Sequence, residues 1–302
     1  MSLAETLKQD WLNRWSLFYL LSVPLCLAMV LAMLNTDLSG AEGVSHMISF
    51  SVRWAVPFIF LVVATSSLQV LWPGAIPAWL LRNRKYIGLT FAVAMGWQGL
   101  FIYIMSDFHR DYYFEEVFYL RDELEGSTGY IFLAAMVVTS FDFARRQLSS
   151  AQWKLLHTSG LYFLWAYPFS VYWWNLYYYG NPVPLDYVFY WMGFSAFVLR
   201  IVAWGKKRKI AAEREQSAVN VGMPMKVMGV LLILLGILAA ATGLAWEKPV
   251  SAFLLAPQWS ATLELWLPYW PFQPFLPLFS IGLGVMALTT YPAARTSTAV
   301  SL

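Results

Sequence analysis

The sequence predicts an all-α integral membrane protein of about eight transmembrane helices, and three observations carry that prediction. Hydrophobic residues make up 59% of the 302 residues and charged residues only 12%, against about 25% charged in an ordinary soluble domain. Apolar runs of roughly 20 residues, long enough to span a bilayer core, recur along the chain. The cations between those runs gather on alternate connecting segments, as the positive-inside rule requires.

The spans fall at about 16–34, 51–72, 86–106, 128–143, 155–175, 184–204, 226–246 and 275–292. With the N-terminus inside, Lys8, Arg14, Arg82, Arg84, Lys85, Arg145, Arg146 and Lys154 lie on the cytoplasmic side. The same choice adds Lys206, Lys207, Arg208, Lys209, Arg214, Lys226 and Arg295, and leaves only Arg110, Arg121 and Lys248 opposite. Fifteen cations against three place both termini in the cytoplasm. The opposite side is acidic, with Asp107, Asp111, Glu115, Glu116, Asp122, Glu123 and Glu125 in one stretch.

The first span is an anchor and not a cleaved signal: its apolar run is too long, and Glu5 and Asp10 precede it with no small-residue cleavage site. Cys26, the only cysteine, excludes internal disulfides and reads as a small apolar packing residue. Pro57 and Pro168 bend their helices. Arg53 and Arg200, near span ends, are expected to snorkel to the interface. Asp142 is expected to pair with Arg145 and Arg146 beside it.

After six helices comes a basic linker, 206–225, with KKRK and AEREQ, which reads as a topology anchor or as a segment lying on anionic headgroups. The last pair follows within 226–292. Gly229, Gly236 and Gly243 recur every seven residues on one face of span seven, a spacing that admits close approach by another helix, within the chain or from a partner. Pro249–Pro277, with Trp259, Trp266 and Trp270, reads as an interfacial cap on the outer leaflet.

Three histidines limit the chemistry. Membrane proteins that carry electrons across a bilayer hold b-type haems between neutral imidazoles on neighbouring helices. Here only His157 lies within a span, in what reads as its first turn, where it serves either as a haem ligand or as a local contact to headgroups or carbonyls. His46 and His109 fall on the acidic side, where DFHRDYYFEE reads as a solvated loop without diagnostic metal-ligand spacing. Transporter-like buried carboxylates and inverted halves are not visible. Nor is a phosphate loop, a flavin domain or a serine–histidine–acid triad, and nothing marks a nucleic-acid surface.

Two blocks carry a family resemblance. One is the basic turn Arg82-Asn83-Arg84-Lys85 followed by Tyr86 and Gly88; the other is the Arg145–His157 turn and helix with Tyr162 beyond it. Together with the order of the first six spans, they resemble the ferric-reductase-like transmembrane family over about residues 15–205. Within that family the chain is similar to bacterial haem-binding membrane subunits that feed electrons to a periplasmic methionine-sulfoxide reductase. The resemblance implies a six-helix bundle in a bacterial cytoplasmic (inner) membrane, plus here a C-terminal helix pair. It implies histidine ligands ten residues after Gly88 and thirteen after His157, where this chain has Gln98 and Ser170. Only His157 carries over as a metal ligand, with Gln98 opposite it in the cofactor site. The expectation is therefore a multi-pass scaffold or partner subunit depleted of haem, with lipid and a membrane or periplasmic protein as its partners. The alternative is electron transfer through one b-type haem on His157 or a bound quinone, lined by Tyr162, Trp165, Tyr167, Tyr172, Trp173 and Trp174.

Overall fold

The computed structural model describes residues 2–214, 221–254 and 273–289, and among them there is no β-strand. The principal helices are α1 (Arg14–Leu34), α2 (Ala41–Leu71), α3 (Ala75–Phe108), α4 (Leu120–Val138), α5 (Ser150–Tyr177) and α6 (Pro184–Arg214). They continue as α7 (Met223–Ala241), α8 (Gly243–Leu254) and α9 (Leu276–Leu288). Each of the eight expected spans overlaps one of these helices. Five of them, α1, α2, α3, α6 and α7, are long and apolar enough to cross a membrane. Helices α4 and α5 dilute their apolar residues with acidic or aromatic polar ones, and α9 is short.

Two boundaries differ from expectation for one reason: hydropathy marks only the apolar part of a helix. Helix α3 begins at Ala75, eleven residues before its apolar run, and α6 carries the basic segment on to Arg214. Residues 215–220 of the expected linker lie outside the described residues, as do Trp259, Trp266, Trp270 and Arg295.

Local chemistry places the ends. Ser149 and Gln152 form a capping box at the start of α5, with bonds of 3.2 and 2.9 Å. That start lies five residues before the expected span, so His157 sits two turns inside the helix and not in its first turn. Helix α6 opens on Pro184, a favoured first position. The buried Asp186 carboxylate accepts from Val183 N (2.9 Å) and Asn175 Nδ2 (3.1 Å), joining the end of α5 to the start of α6.

The core forms where α2, α5 and α6 meet. Trp165 stacks on Phe169 and Phe197, and its indole donates to Gly193 O at 3.0 Å. Trp173, Tyr190, Phe60 and Phe169 are fully enclosed. The outside is apolar as well: Leu27, Leu31, Leu231, Leu234 and Leu238 are 56–60% exposed. Such a surface is stable in hydrocarbon and not in water.

The glycine stripe turns inward. A side chain at Gly229 would meet Gly284 O and Leu288, and one at Gly236 would meet Pro277 O and Ile281, so both glycines face α9 of the same chain. Gly243, past the break at Thr242, packs on the Tyr177 ring instead. Two hydroxyls hold the end of α7: Tyr177 Oη and Tyr190 Oη donate to Ala240 O at 2.7 and 3.0 Å. Trp246 Nε1 donates to Ala239 O at 2.8 Å. A helix end leaves its last carbonyls without intrahelical donors, and here α5, α6 and α8 supply them. The C-terminal pair is thereby built into the six-helix bundle.

Candidate functional site

The basic turn at the start of α3 docks the N-terminal segment. Asn83, fully buried, accepts from Arg14 N at 2.9 Å and donates to Asn13 Oδ1 at 2.9 Å and Trp79 O at 3.1 Å. Arg82 adds bonds to Asn13 Oδ1 (3.1 Å) and Leu7 O (3.0 Å), and Trp79 Nε1 donates to Leu12 O at 2.9 Å. Arg14 is the one non-glycine residue with positive φ among the described residues, at 56°. L-residues avoid that conformation at a cost of about 1–2 kcal/mol, and the Asn83 clamp offsets it.

His157 lies half-buried on α5. Its ring stacks on Trp153, one turn earlier, at 4.2 Å and 27°. Its Nε2 is 2.9 Å from Thr139 Oγ1, whose own proton goes to Ala135 O at 2.6 Å. Thr139 Oγ1 can then only accept, so Nε2 carries the proton and donates. Trp153 Nε1 donates to Thr139 O at 3.1 Å, and the Arg145 guanidinium lies over the Trp153 ring at 5.2 Å. The stack Arg145–Trp153–His157 closes the α4–α5 connection. Arg145 is thus engaged with Trp153 and with Leu148 O, and Asp142 is exposed and makes no ion pair among the described residues, which corrects the expected Asp142–Arg145–Arg146 pairing.

Gln98 is held elsewhere. Tyr130 Oη lies 3.1 Å from both Gln98 Oε1 and Met95 O. Thr139, which caps the end of α4, is nine residues beyond Tyr130, about 13 Å along the axis, so the structure does not bring Gln98 and His157 together at one level. Ser170 donates to Tyr167 O at 2.8 Å, an ordinary backbone contact. These residues do not fit a haem held between them: one is committed through Nε2 and covered by an indole, another is tied to a tyrosine, and a third is a hydroxyl turned to its own helix. Of the aromatic residues on α5, Trp165, Tyr172 and Trp173 are core packing, while Tyr167 is exposed.

Arg200 does not snorkel outward. Its Nε donates to Tyr162 Oη at 2.9 Å and its Nη1 to Val63 O at 3.1 Å, with the guanidinium 4.8 Å above the Tyr162 ring. Arg200 therefore fastens α6 to α2 and α5. Arg84 is within electrostatic reach of Arg200 and Tyr162, and both Arg84 and Arg145 are within reach of His157.

At the acidic end, the Tyr113 hydroxyl bonds to Glu123, and burial followed by that bond pushes Tyr113 up to about 12. His109 Nε2 lies 3.4 Å from Leu38 O and His46 stacks on Phe50. Among the described residues, no three His, Cys, Asp or Glu side chains converge as metal ligands. Compared with known proteins, the chain matches no family model, no curated protein and no solved structure.

Proposed function

We propose that this chain is a multi-pass protein of a bacterial inner membrane that serves as a non-catalytic scaffold or partner subunit. In this reading the bundle resembles ferric-reductase-like electron-transfer subunits, with the haem positions given over to structure. The observation that carries it is the engagement of His157: Nε2 donates to Thr139 and one ring face lies on Trp153. An imidazole held in this way acts as a strut between α4 and α5.

The detergent-purified protein is expected to show no b-type bands in a dithionite-reduced-minus-oxidised spectrum. His157→Ala is expected to lower stability by about 1–2 kcal/mol, the worth of one part-buried hydrogen bond with its stacking contact. One haem per chain, lost in His157→Ala, would replace this reading with transmembrane electron transfer. A colourless protein that sheds a quinone on organic extraction would point to the quinone form of that alternative.

The basic end of the bundle is assigned to the cytoplasm on its cation excess. A membrane-impermeant amine reagent applied to intact spheroplasts should then spare Lys85 and Lys206 and modify them after lysis. Modification in intact spheroplasts would invert the topology.

A further inference from the structure

Before α1 the chain does not run straight out of the membrane. At Arg14, with its φ of 56°, it turns, and residues 2–13 lie against the start of α3 as a strap. Leu7 O and Leu12 O accept from Arg82 and Trp79, and Asn13 Oδ1 accepts from Asn83. Backbone strain persists where its surroundings over-determine it, and it gathers at sites with a task. Here the turn has a definite result. Continued as a helix, residues 2–13 would project about 18 Å beyond α1 and carry Leu3, Leu7, Trp11 and Leu12 into water.

The strap has two faces. Leu7 and Leu12 are half-buried, whereas Leu3 and Trp11 are 58% and 55% exposed. The Trp11 indole bonds within the strap, donating to Gln9 Oε1 at 2.5 Å. The segments that the strap joins also expose large apolar side chains: Trp15 at the start of α1, and Trp72, Ile76 and Leu81 at the turn into α3. Leu3, Trp11 and Trp15 precede the apolar stretch 16–34, and Ile76 and Leu81 precede the stretch 86–106. These side chains therefore stand where α1 and α3 enter hydrocarbon.

Over 2–15 and 72–85 the cations Lys8, Arg14, Arg82, Arg84 and Lys85 stand against the acids Glu5 and Asp10, five against two, a net charge of +3. Glu5 is itself engaged with Ser2 in a capping box. Tryptophan and leucine set among lysine and arginine, at the foot of apolar helices, match an element that lies in the interface plane of an anionic leaflet. An indole is favoured there because it meets hydrocarbon on one side and water on the other.

We propose that residues 2–13 bind the surface of the leaflet at the basic end. Leu3 and Trp11 enter its headgroup layer, Lys8 beside them meets its phosphates, and the Arg14 turn with the Asn83 clamp holds the strap in that plane. The strap thereby fastens α1 and α3 to the leaflet surface as well as to each other. This holds for either orientation of the bundle across the membrane.

The test uses the full chain in bilayers of phosphatidylcholine and phosphatidylglycerol, with a bimane probe on Trp11→Cys in a Cys26→Ser background. A lipid nitroxide carried near the headgroup is expected to quench the probe severalfold more than one at the acyl-chain end. Dissolved acrylamide should quench it severalfold less than the same probe on Glu213→Cys, an exposed position near the end of α6. Leu3→Cys should repeat this pattern, while Leu7→Cys, on the face turned to α3, should respond weakly to all three quenchers. Free access to acrylamide with neither nitroxide effective would overturn the proposal and leave the strap as a face for a water-soluble protein. Stronger quenching from the chain end would overturn it too, by placing the strap within hydrocarbon.

Discussion

Replacing Gly236 by leucine is expected to separate α9 from α7 and to cost the bundle about 2–3 kcal/mol, near the upper end for overpacking. The first carbon of the new side chain would lie 2.6 Å from Pro277 O, 2.6 Å from Ile281 Cγ1 and 3.2 Å from Ile281 N. Two of these are backbone atoms, which cannot turn aside as a flexible side-chain end can. The approach is equally close one level on, where a Cβ at Gly284 would stand 2.6 Å from Gly229 O. Ser280 Oγ, between the two levels, donates to Leu232 O at 2.7 Å, so the helices are in backbone contact along this face. Leucine is the better helix former by somewhat under 1 kcal/mol, and the clash outweighs that gain. The loss should appear as a lower unfolding temperature in detergent. It should also appear as maleimide labelling of a probe placed by Ala287→Cys, a position 6% exposed, in a Cys26→Ser background. An unchanged temperature with no labelling would mean that α7 and α9 do not meet through this face.

The second large effect is expected at Asn83. Asn83→Leu keeps the volume and removes both the acceptor for Arg14 N and the donor to Asn13 Oδ1. An orphaned, largely enclosed amide costs about 1–3 kcal/mol. Nothing then offsets the positive φ of Arg14, where the conformational cost is itself about 1–2 kcal/mol. The chain should relieve both by releasing residues 2–13 from α3. Hydrogen exchange over that segment should quicken by ten- to a hundredfold, equal to about 1.4–2.8 kcal/mol of lost protection, while exchange in α2 and α6 should stay as it was. Unaltered exchange before Arg14 would show that Trp79 and Arg82 hold the segment without Asn83.

These two residues show where sequence reading stops. Gly229 and Gly236 announce a close helix contact through their spacing, but spacing describes one surface only. Whether α9 or another chain lay opposite depended on which helix the fold brings to that face. Asn83 reads as one polar residue in a basic turn because its partners, Asn13 and Arg14, are about seventy residues away. His157 is similar: its isolation from other histidines is plain in the sequence, and its bond to Thr139 across the α4–α5 turn is not. Arg200 was expected at the interface because a lone arginine near a span end can usually reach water. Its carbonyl, hydroxyl and ring partners come from α2 and α5, and only packing assembles them.

By itself the sequence determined the helical class, the order of the apolar segments and the charge contrast between the two ends. Each of these follows from composition and period within one stretch of chain, where the solvent of the backbone decides. The tertiary structure alone decided that the C-terminal pair belongs to the bundle, that His157 is bonded to Thr139 across the α4–α5 connection, and that Arg200 is tied to Tyr162 and Val63. Each of those depends on atoms from separate helices meeting within a few ångströms, which no local pattern encodes.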